Sequence, residues 1–441
     1  AQDVDRVNNL LKNQETTEFV AVTIPEPVSI LEIEGLVKDL NKMGIKVKSV
    51  IANRVMMAEE KCAFCATRLK DEHLKMIEDK FAGYQIIKMP LFPTEIRGKD
   101  SLNEYGQILF GEKEFKITLP WRWLRFSDIP QSKMAGFLKK DLNFVICGGK
   151  GGVGKTAIAA ATGIAFAKKY KNKKILVTTT DPAHALSKIF DQAIPLTTEA
   201  VLIKGFDNLF AIEIDAQKRL QNWKEDYREG IEEVFRKFVG PGVNIAFDKE
   251  VLEELMELSP PGLEELMALT EIIDLIKENK YDIYVLDSAA SGHLLRFLEL
   301  PDLVRDWLKS IFKILRKYQG FKLEEIAQKM VDLSKDIRKI QELLFNSSKT
   351  EFIMITIPEE MGIRITKDLA ASLEKLKVNY NYIIANFIIP SSKCGFCLAK
   401  RKDQEKYLKI IKKQYSDKNL ILVPLLDHDI KGVDSLKELT K

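Results

Sequence analysis

Cysteine is scarce, with five in 441 residues, and that excludes a disulfide scaffold. Net charge is nearly absent. Lys+Arg of 68 against Asp+Glu of 64 leaves +4, spread along the chain. A dedicated nucleic-acid or anionic-membrane binder has no electrostatic basis in that balance, so no nucleic-acid partner is expected. No apolar run approaches the roughly 18–20 residues that a membrane span needs. No stretch has the charged start, apolar middle and small-residue cleavage site of a signal peptide. What is there is 46% hydrophobic and 30% charged, enough to bury a core and stay in solution. The expectation is a globular, cytoplasmic protein of two larger α/β units or roughly three average domains.

The chain repeats itself. TEFVAVTIP at 17–25 is answered by TEFIMITIP at 350–358, and SVIANRVM at 49–56 by YIIANFII at 382–389. KCAFC at 61–65 is answered by KCGFC at 393–397, and MPLFPTEIRGKDSL at 89–102 by VPLLDHDIKGVDSL at 423–436. Val4, Val7, Leu10 and Leu11 correspond to Ile337, Ile340, Leu343 and Leu344. The second copy has a long partner region before it, about 142–336, and the first has none. Circular permutation does not account for this, because the C-terminal segment occurs twice. The expected layout is an incomplete first half over 1–105, a linker over 106–141 and a complete second half over 142–441. This reads as a tandem protein whose first half lacks its N-terminal two-thirds, with a naturally short variant as the alternative. The linker carries Trp121, Arg122, Trp123 and Phe126, read as rings that pin it to a domain surface.

The second half alternates short apolar runs with helical stretches. Asn143–Cys147, Ile175–Thr179, Tyr281–Leu286, Glu351–Ile357 and Tyr382–Ala385 read as strands of a mostly parallel, doubly wound sheet. Two segments break the rhythm with apolar residues at helical spacing. Helical insertions are therefore expected at about 216–275 and 301–345.

Gly149-Lys150-Gly151-Gly152-Val153-Gly154-Lys155-Thr156 follows the first of these strands and opens a helix. Glycines let backbone N–H groups turn inward around phosphate oxygens, and the helix N-terminus adds positive potential. In such a loop the lysine before the hydroxyl, Lys155, reaches the β/γ-phosphates and Thr156 ligates Mg²⁺. The stretch also satisfies G-x-G-x-x-G, but a dinucleotide loop has no use for the Lys-Thr pair. The fold class is accordingly α/β, a P-loop nucleoside-triphosphatase, with ATP and Mg as expected cofactors. Asp287 ends the strand YDIYVL, where a carboxylate suits a hold on Mg²⁺. Asp181, in TTTDPAHALS, follows another strand and is placed to orient an attacking water. Either aspartate could instead be a turn or cap residue.

Lys150 is the extra lysine of the deviant Walker A class. DPAHALS resembles the switch I segment of the arsenical-pump ATPases and the tail-anchored-protein targeting ATPases. DSAASGHLLRFLELP at 287–301 resembles their switch II, and SPPGLEEL at 259–266 their Pro-Pro-Gly segment. The resemblance covers 142–441 throughout and 1–105 as an incomplete copy. It implies that the loop amides, Lys155 and Thr156 bind phosphate and Mg²⁺, that Asp181 positions water, and that Lys150 touches the phosphates of a facing half. It implies that Asn386 contacts the adenine and that the loop after Pro424 closes over it, with Asn53 and Pro90 as first-copy equivalents. His184 and His293 are assigned to switch hydrogen bonding. The implied partners are a second half, in tandem or in a homodimer, and either a membrane-protein cargo or an arsenite-efflux channel.

Cys62-x-x-Cys65 and Cys394-x-x-Cys397 occupy equivalent points of the two copies. Four thiolates meeting at a pseudo-twofold axis would close a tetrahedral Zn²⁺ site. The family resemblance supports that, since the tail-anchored-targeting homodimer clamps an interfacial zinc with one such pair per subunit. A redox dithiol and inert thiols remain open. Cys147 is expected to be a buried core residue. The regions 210–280 and 300–345 contain no cysteine. Two other functional classes stand beside the transport-energising ATPase. One is an iron–sulfur electron-transfer ATPase of the nitrogenase iron-protein type; the other is a non-catalytic nucleotide-dependent scaffold.

Overall fold

A computed structural model describes residues 2–57, 62, 71–115, 141–179, 185–196, 199–237, 263–288, 306, 309, 313, 323–390 and 394–440. Cys65, the Trp121–Trp123 segment, Phe126, Asp181, His184 and His293 lie outside these residues. The chain divides into two compact units. The first holds residues 1–128, 389–406 and 425–429, and the second the remainder.

The first unit is built on a three-stranded parallel sheet in the order β1 (Phe19–Thr23), β2 (Val47–Val55), β3 (Gln85–Pro90). Its helices are α1 (Gln2–Lys12), α2 (Pro27–Lys42), α3 (Asp71–Lys80) and α4 (Gly98–Leu109). The last of these runs four residues past the expected linker start. Burial along β1 alternates, with Ala21 and Thr23 inside and Val20 and Val22 outside, as in a strand covered on one face. Ile30, Val50, Ala52 and Ile77 are fully buried at the centre of this unit's core. Residues 389–406 belong here because Ile389, Phe396 and Cys397 bury with Met56, against Cys62 and Leu91.

The second unit contains an eight-stranded sheet. Its strands are β4 (Phe144–Gly149), β5 (Ile175–Thr179), β6 (Val201–Leu202), β7 (Leu209–Glu213), β8 (Ile283–Asp287), β9 (Thr350–Thr356), β10 (Tyr380–Ile388) and β11 (Asn419–Pro424). Their spatial order is β11-β10-β9-β4-β8-β5-β7-β6, and every pairing is parallel except that of β6 with β7. The apolar runs of β4, β5, β8 and β9 are buried at every residue, as strands with both faces covered must be. Each such Val, Ile or Phe contributes roughly 1.5–3 kcal/mol of burial. In helix α5 (Lys155–Lys169) every residue from Ala157 to Ala167 is buried, and its alanines allow close approach to the sheet. Helices α6 (Ala185–Phe190), α7 (Ala216–Lys237), α8 (Leu263–Lys277), α9 (Leu323–Phe345), α10 (Glu360–Lys375), α11 (Gly395–Gln414) and α12 (Gly432–Glu438) complete the order. Of the two expected insertions, α7, α8 and α9 fall inside the described residues. Among these residues no helix is long and apolar enough to cross a membrane.

The two copies share an unusual backbone detail. Arg54 (φ 60°) and Phe387 (φ 58°) are both left-handed, each directly after the repeated asparagine. The strand register breaks there in both, between Ala52 and Val55 and between Ala385 and Ile388. Non-glycine residues avoid this region, so its recurrence marks a shared constraint.

Tyr284, 3% exposed, donates its hydroxyl proton to the Leu275 carbonyl at 2.9 Å, tying α8 to β8. Burial, aided by the Asp282 and Glu278 carboxylates, pushes its pKa up from 10.0 to about 12. The folded state therefore favours the neutral phenol. This contribution is complete below about pH 10 and is lost as pH rises toward 12. Denaturant titrations across that window are expected to show a loss of roughly 2–3 kcal/mol. In Tyr284→Phe that component disappears, while stability at neutral pH falls by about 1–3 kcal/mol.

Candidate functional site

Parallel strands bring their carboxyl ends to one edge of the sheet, where open α/β sheets carry their sites. Register aligns Ile353, Cys147, Asp287, Thr179 and Glu213 across five adjacent strands. The glycine-rich loop rises from β4 two residues beyond that row.

Geometry requires glycine at specific points of the loop. A Cβ at Gly149 would overlap the Ile355 carbonyl oxygen of the neighbouring strand. Gly154 is left-handed (φ 84°), and a Cβ there would overlap the Asn386 amide nitrogen. Val153 is fully buried and anchors the loop, while Gly151 and Gly152 are exposed at its crest. The loop leads straight into the N-terminus of α5, where the first-turn N–H groups and the helix dipole favour an anion. The Lys155 amine folds back to donate to the Lys150 carbonyl at 3.2 Å.

At the root of the loop, the Thr156 hydroxyl donates to Asp287 Oδ2 at 2.7 Å and the Thr179 hydroxyl to the same oxygen at 3.1 Å. Asp287 is 1% exposed. Two sequence-expected residues, Thr156 and Asp287, are thus in direct contact. Thr179 is not singled out by the sequence motifs; its signal is a hydroxyl at the end of a buried strand. These hard oxygen donors beside an anion-seeking loop fit a Mg²⁺–phosphate group. Next to them, burial and the Asp287 charge push the Cys147 thiol well above its ordinary range, so it stays neutral. Ser288 donates through both its amide and its hydroxyl to the Cys147 carbonyl, at 3.2 and 2.8 Å.

The Asn386 side chain braces the loop. Its Nδ2 donates to the Val153 carbonyl at 2.8 Å, and its Oδ1 accepts from the Phe387 amide at 2.9 Å. An asparagine amide has two protons and two lone pairs, so one of each is committed to these bonds. Pro424 pairs with Ile388 at the end of β11. Another residue that the sequence reading misses is Glu213, fully buried at the end of β7, whose Oε1 accepts from the Ser187 amide in α6 at 2.8 Å. It anchors the helix that follows the Asp181 segment. The signal is again a carboxylate closing an apolar strand, LFAIE. Asp181 itself lies outside the described residues.

A second centre lies within the first unit. The sulfurs of Cys62, Cys394 and Cys397 lie within 4.8 Å of one another, with Cys62 and Cys397 at 3.8 Å. Four sulfurs at about 2.3 Å from a tetrahedral ion would stand about 3.8 Å apart, so the spacing suits a soft metal. Burial, with Cys397 and Cys62 close by, raises the Cys394 thiol. The loop entering the cluster is clamped at Ile389, whose amide donates to Gln404 Oε1 at 2.9 Å and whose carbonyl accepts from Arg401 at 3.0 Å. Cys65 lies outside the described residues.

A family model described as anion-transporting ATPase matches residues 1–111 and 142–441. The chain is 32% identical over 314 residues to the "ATPase ASNA1 homolog 2" of Paramecium tetraurelia, covering 67% of this chain and 92% of that protein. It is 30% identical over 318 residues to the "ATPase GET3" of Phaeosphaeria nodorum, covering 68% and 94%. To the "ATPase GET3B" of Arabidopsis thaliana it is 34% identical over 323 residues, covering 67% and 77%.

The loop's packing is open to a double-mutant test. Gly154→Ala forces a Cβ into a left-handed position and onto Asn386, and is expected to cost about 1–3 kcal/mol in chemical denaturation. In an Asn386→Ala background that overlap is gone, leaving the backbone strain and a close approach to the Phe387 ring. The cost of the glycine substitution should then shrink measurably, giving a coupling of at least ~0.5 kcal/mol.

Proposed function

The chain belongs to the anion-transporting ATPase family, and from that premise we propose that it hydrolyses MgATP at residues 149–156 to drive delivery of apolar membrane-protein segments. The observation that carries this reading is the Thr156–Asp287–Thr179 set at the root of the loop. The Thr156 hydroxyl would hold Mg²⁺, with Asp287 fixing the direction of that hydroxyl. When bound, the ion supplies charge neutralisation at the β- and γ-phosphate oxygens.

The remaining work falls to the chain's own groups. The amides of Gly151, Gly152, Val153, Gly154, Lys155 and Thr156 cradle phosphate oxygens. The Lys155 amine exchanges the Lys150 carbonyl for a phosphate oxygen, a stronger, charge-assisted partner. Asp181 orients the attacking water and takes up its proton. The second amide proton and lone pair of Asn386 serve the adenine, and the loop after Pro424 closes over it. Lys150 reaches the phosphates of a facing half, whether the tandem partner or a second copy, so that closing of the two halves follows nucleotide state. Residues 287–301 lead directly into the 303–318 stretch, giving nucleotide state a route to the helical surface.

Cargo choice rests on chemistry. A soft metalloid needs thiols, and residues 210–280 and 300–345 have none. An apolar membrane-protein segment therefore suits these helices better than arsenite. The cysteine cluster suits Zn²⁺ held by Cys62, Cys65, Cys394 and Cys397, as a structural clamp.

Purified protein is expected to release phosphate from ATP only with Mg²⁺, and Lys155→Ala should lower the rate by roughly 10²–10³-fold. Arsenite should leave the rate unchanged, whereas a peptide with a hydrophobic C-terminal helix should co-purify. Partner binding without any Lys155-dependent hydrolysis would instead indicate a scaffold.

The metal reading is checked separately. Elemental analysis should find one zinc per four-cysteine set, in colourless protein. Cys394→Ser should lower the zinc content without changing phosphate release. Visible absorption after anaerobic purification would replace zinc with an iron–sulfur cluster.

A further inference from the structure

Thr179 closes β5, and strand register sets Glu213 of β7 on one side of it and Asp287 of β8 on the other. Both acids are buried, Asp287 at 1% and Glu213 at 0% exposure. Asp287 takes the Thr179 hydroxyl on its Oδ2. Glu213 reaches further along the chain, where its Oε1 accepts from the Ser187 amide of α6 at 2.8 Å. Asp181 lies between these two held points, two residues after Thr179 and six before Ser187.

The first-turn N–H groups of a helix have no partner within it, and a Ser, Thr, Asp or Asn just before the helix normally supplies one. The residue before α6 is His184. The Ser187 amide is satisfied instead from another strand. A local cap ties a helix only to its own chain, whereas a cap from β7 ties α6 to the sheet. Glu213 is the fixed partner of the two. It stands in register with Thr179, Leu196 forms a parallel bridge to it, and the next amide, Ile214, donates to the Thr179 carbonyl at 3.3 Å. Two residues on, the Asp215 carboxylate accepts from the Lys218 amide in the first turn of α7 at 2.9 Å. Ser187 is held as well, since its hydroxyl donates to the Ile194 carbonyl at 3.0 Å and accepts from the Ile194 amide at 3.2 Å.

We propose that Glu213 is a positioning residue for ATP hydrolysis. By holding the Ser187 amide it fixes the downstream end of the segment that carries Asp181, and so sets where that carboxylate meets the attacking water. It acts through α6 on the chemical step rather than on ATP affinity, because the phosphate cradle belongs to residues 149–156. A misplacement of about 1 Å can cost roughly 10²-fold in rate. The inference rests on the proposed hydrolysis with Asp181 as the water-orienting group.

Hydrolysis of MgATP by the purified full chain tests it, with each rate divided by the nucleotide sites counted in a titration with a non-hydrolysable ATP analogue. Glu213→Leu, similar in bulk but without an acceptor, should lower kcat at least tenfold and leave KM within about twofold. Glu213→Gln, which keeps an oxygen for the Ser187 amide, should recover most of that loss. Asp181→Asn alone should lower kcat by roughly 10²-fold or more. Adding Glu213→Leu to it should then lower the rate by less than about twofold, because both changes act on one step. A merely structural role would remove nucleotide sites or slow both backgrounds equally. Should Glu213→Leu not fold, Ser187→Pro deletes the amide donor within the first helical turn, with Ser187→Ala as the control for the hydroxyl.

The proposal is overturned by an unchanged kcat per site in Glu213→Leu, or by a KM increase that carries the whole loss. It is equally overturned if Glu213→Gln is as slow as Glu213→Leu, or if the tenfold loss recurs in full beside Asp181→Asn. An Asp181→Asn rate equal to that of the unaltered chain would remove the water-orienting assignment and this inference together. Hydrolysis that needs Lys155 and Asp181 but not Glu213 would overturn this inference alone.

Discussion

At 1% exposure, the Asp287 carboxylate has to find its hydrogen-bond donors inside the protein, and it finds them in Thr156 and Thr179. An ionised carboxylate buried without donors would cost several kcal/mol, so the two hydroxyls are structural before they are functional. One of them begins the helix after the glycine-rich loop and the other ends β5. The bond network therefore fixes three segments at one point: the loop, the strand leading to the Asp181 segment, and the strand leading to residues 288–301. Any group that draws the Thr156 hydroxyl toward itself acts on all three.

The core explains why this point is stiff. Strands β4, β5, β8 and β9 are buried at every residue, and the loop leaves β4 pressed against the Ile355 carbonyl. A close-packed interior does not deform continuously. Movement at the site must pass into the segments that leave the strand ends, which is where the switch-like sequences lie.

Much of the site is legible in the sequence because its signals are local. Eight consecutive residues define the loop, and a carboxylate at the end of an apolar strand marks Asp287. Thr179 and Glu213 carry the same kind of local signal, a polar residue closing an apolar strand, but the partners that give them their roles come from register and folding across the sheet, which no local pattern encodes. The α/β class follows from the alternation of short apolar runs with helical stretches. The grouping of residues 389–406 with the first unit is hidden in the sequence, since it depends on Ile389, Phe396 and Cys397 packing with Met56 from far away in the chain. The two Cys-x-x-Cys pairs, 332 residues apart in register, can be related only through the repeat. The exposure of Val20 and Val22 is likewise invisible in the sequence: TEFVAVTIP and TEFIMITIP differ little, but Ile353 and Ile355 are buried where Val20 and Val22 are not.

Cys147 sits in a fully buried strand beside a carboxylate, and its thiol stays protonated. Soft electrophiles and oxidants act on thiolates, so this sulfur is chemically silent despite its place next to the phosphate loop. Oxidation or alkylation at this position would therefore report opening of the buried strand rather than a reaction of the folded protein.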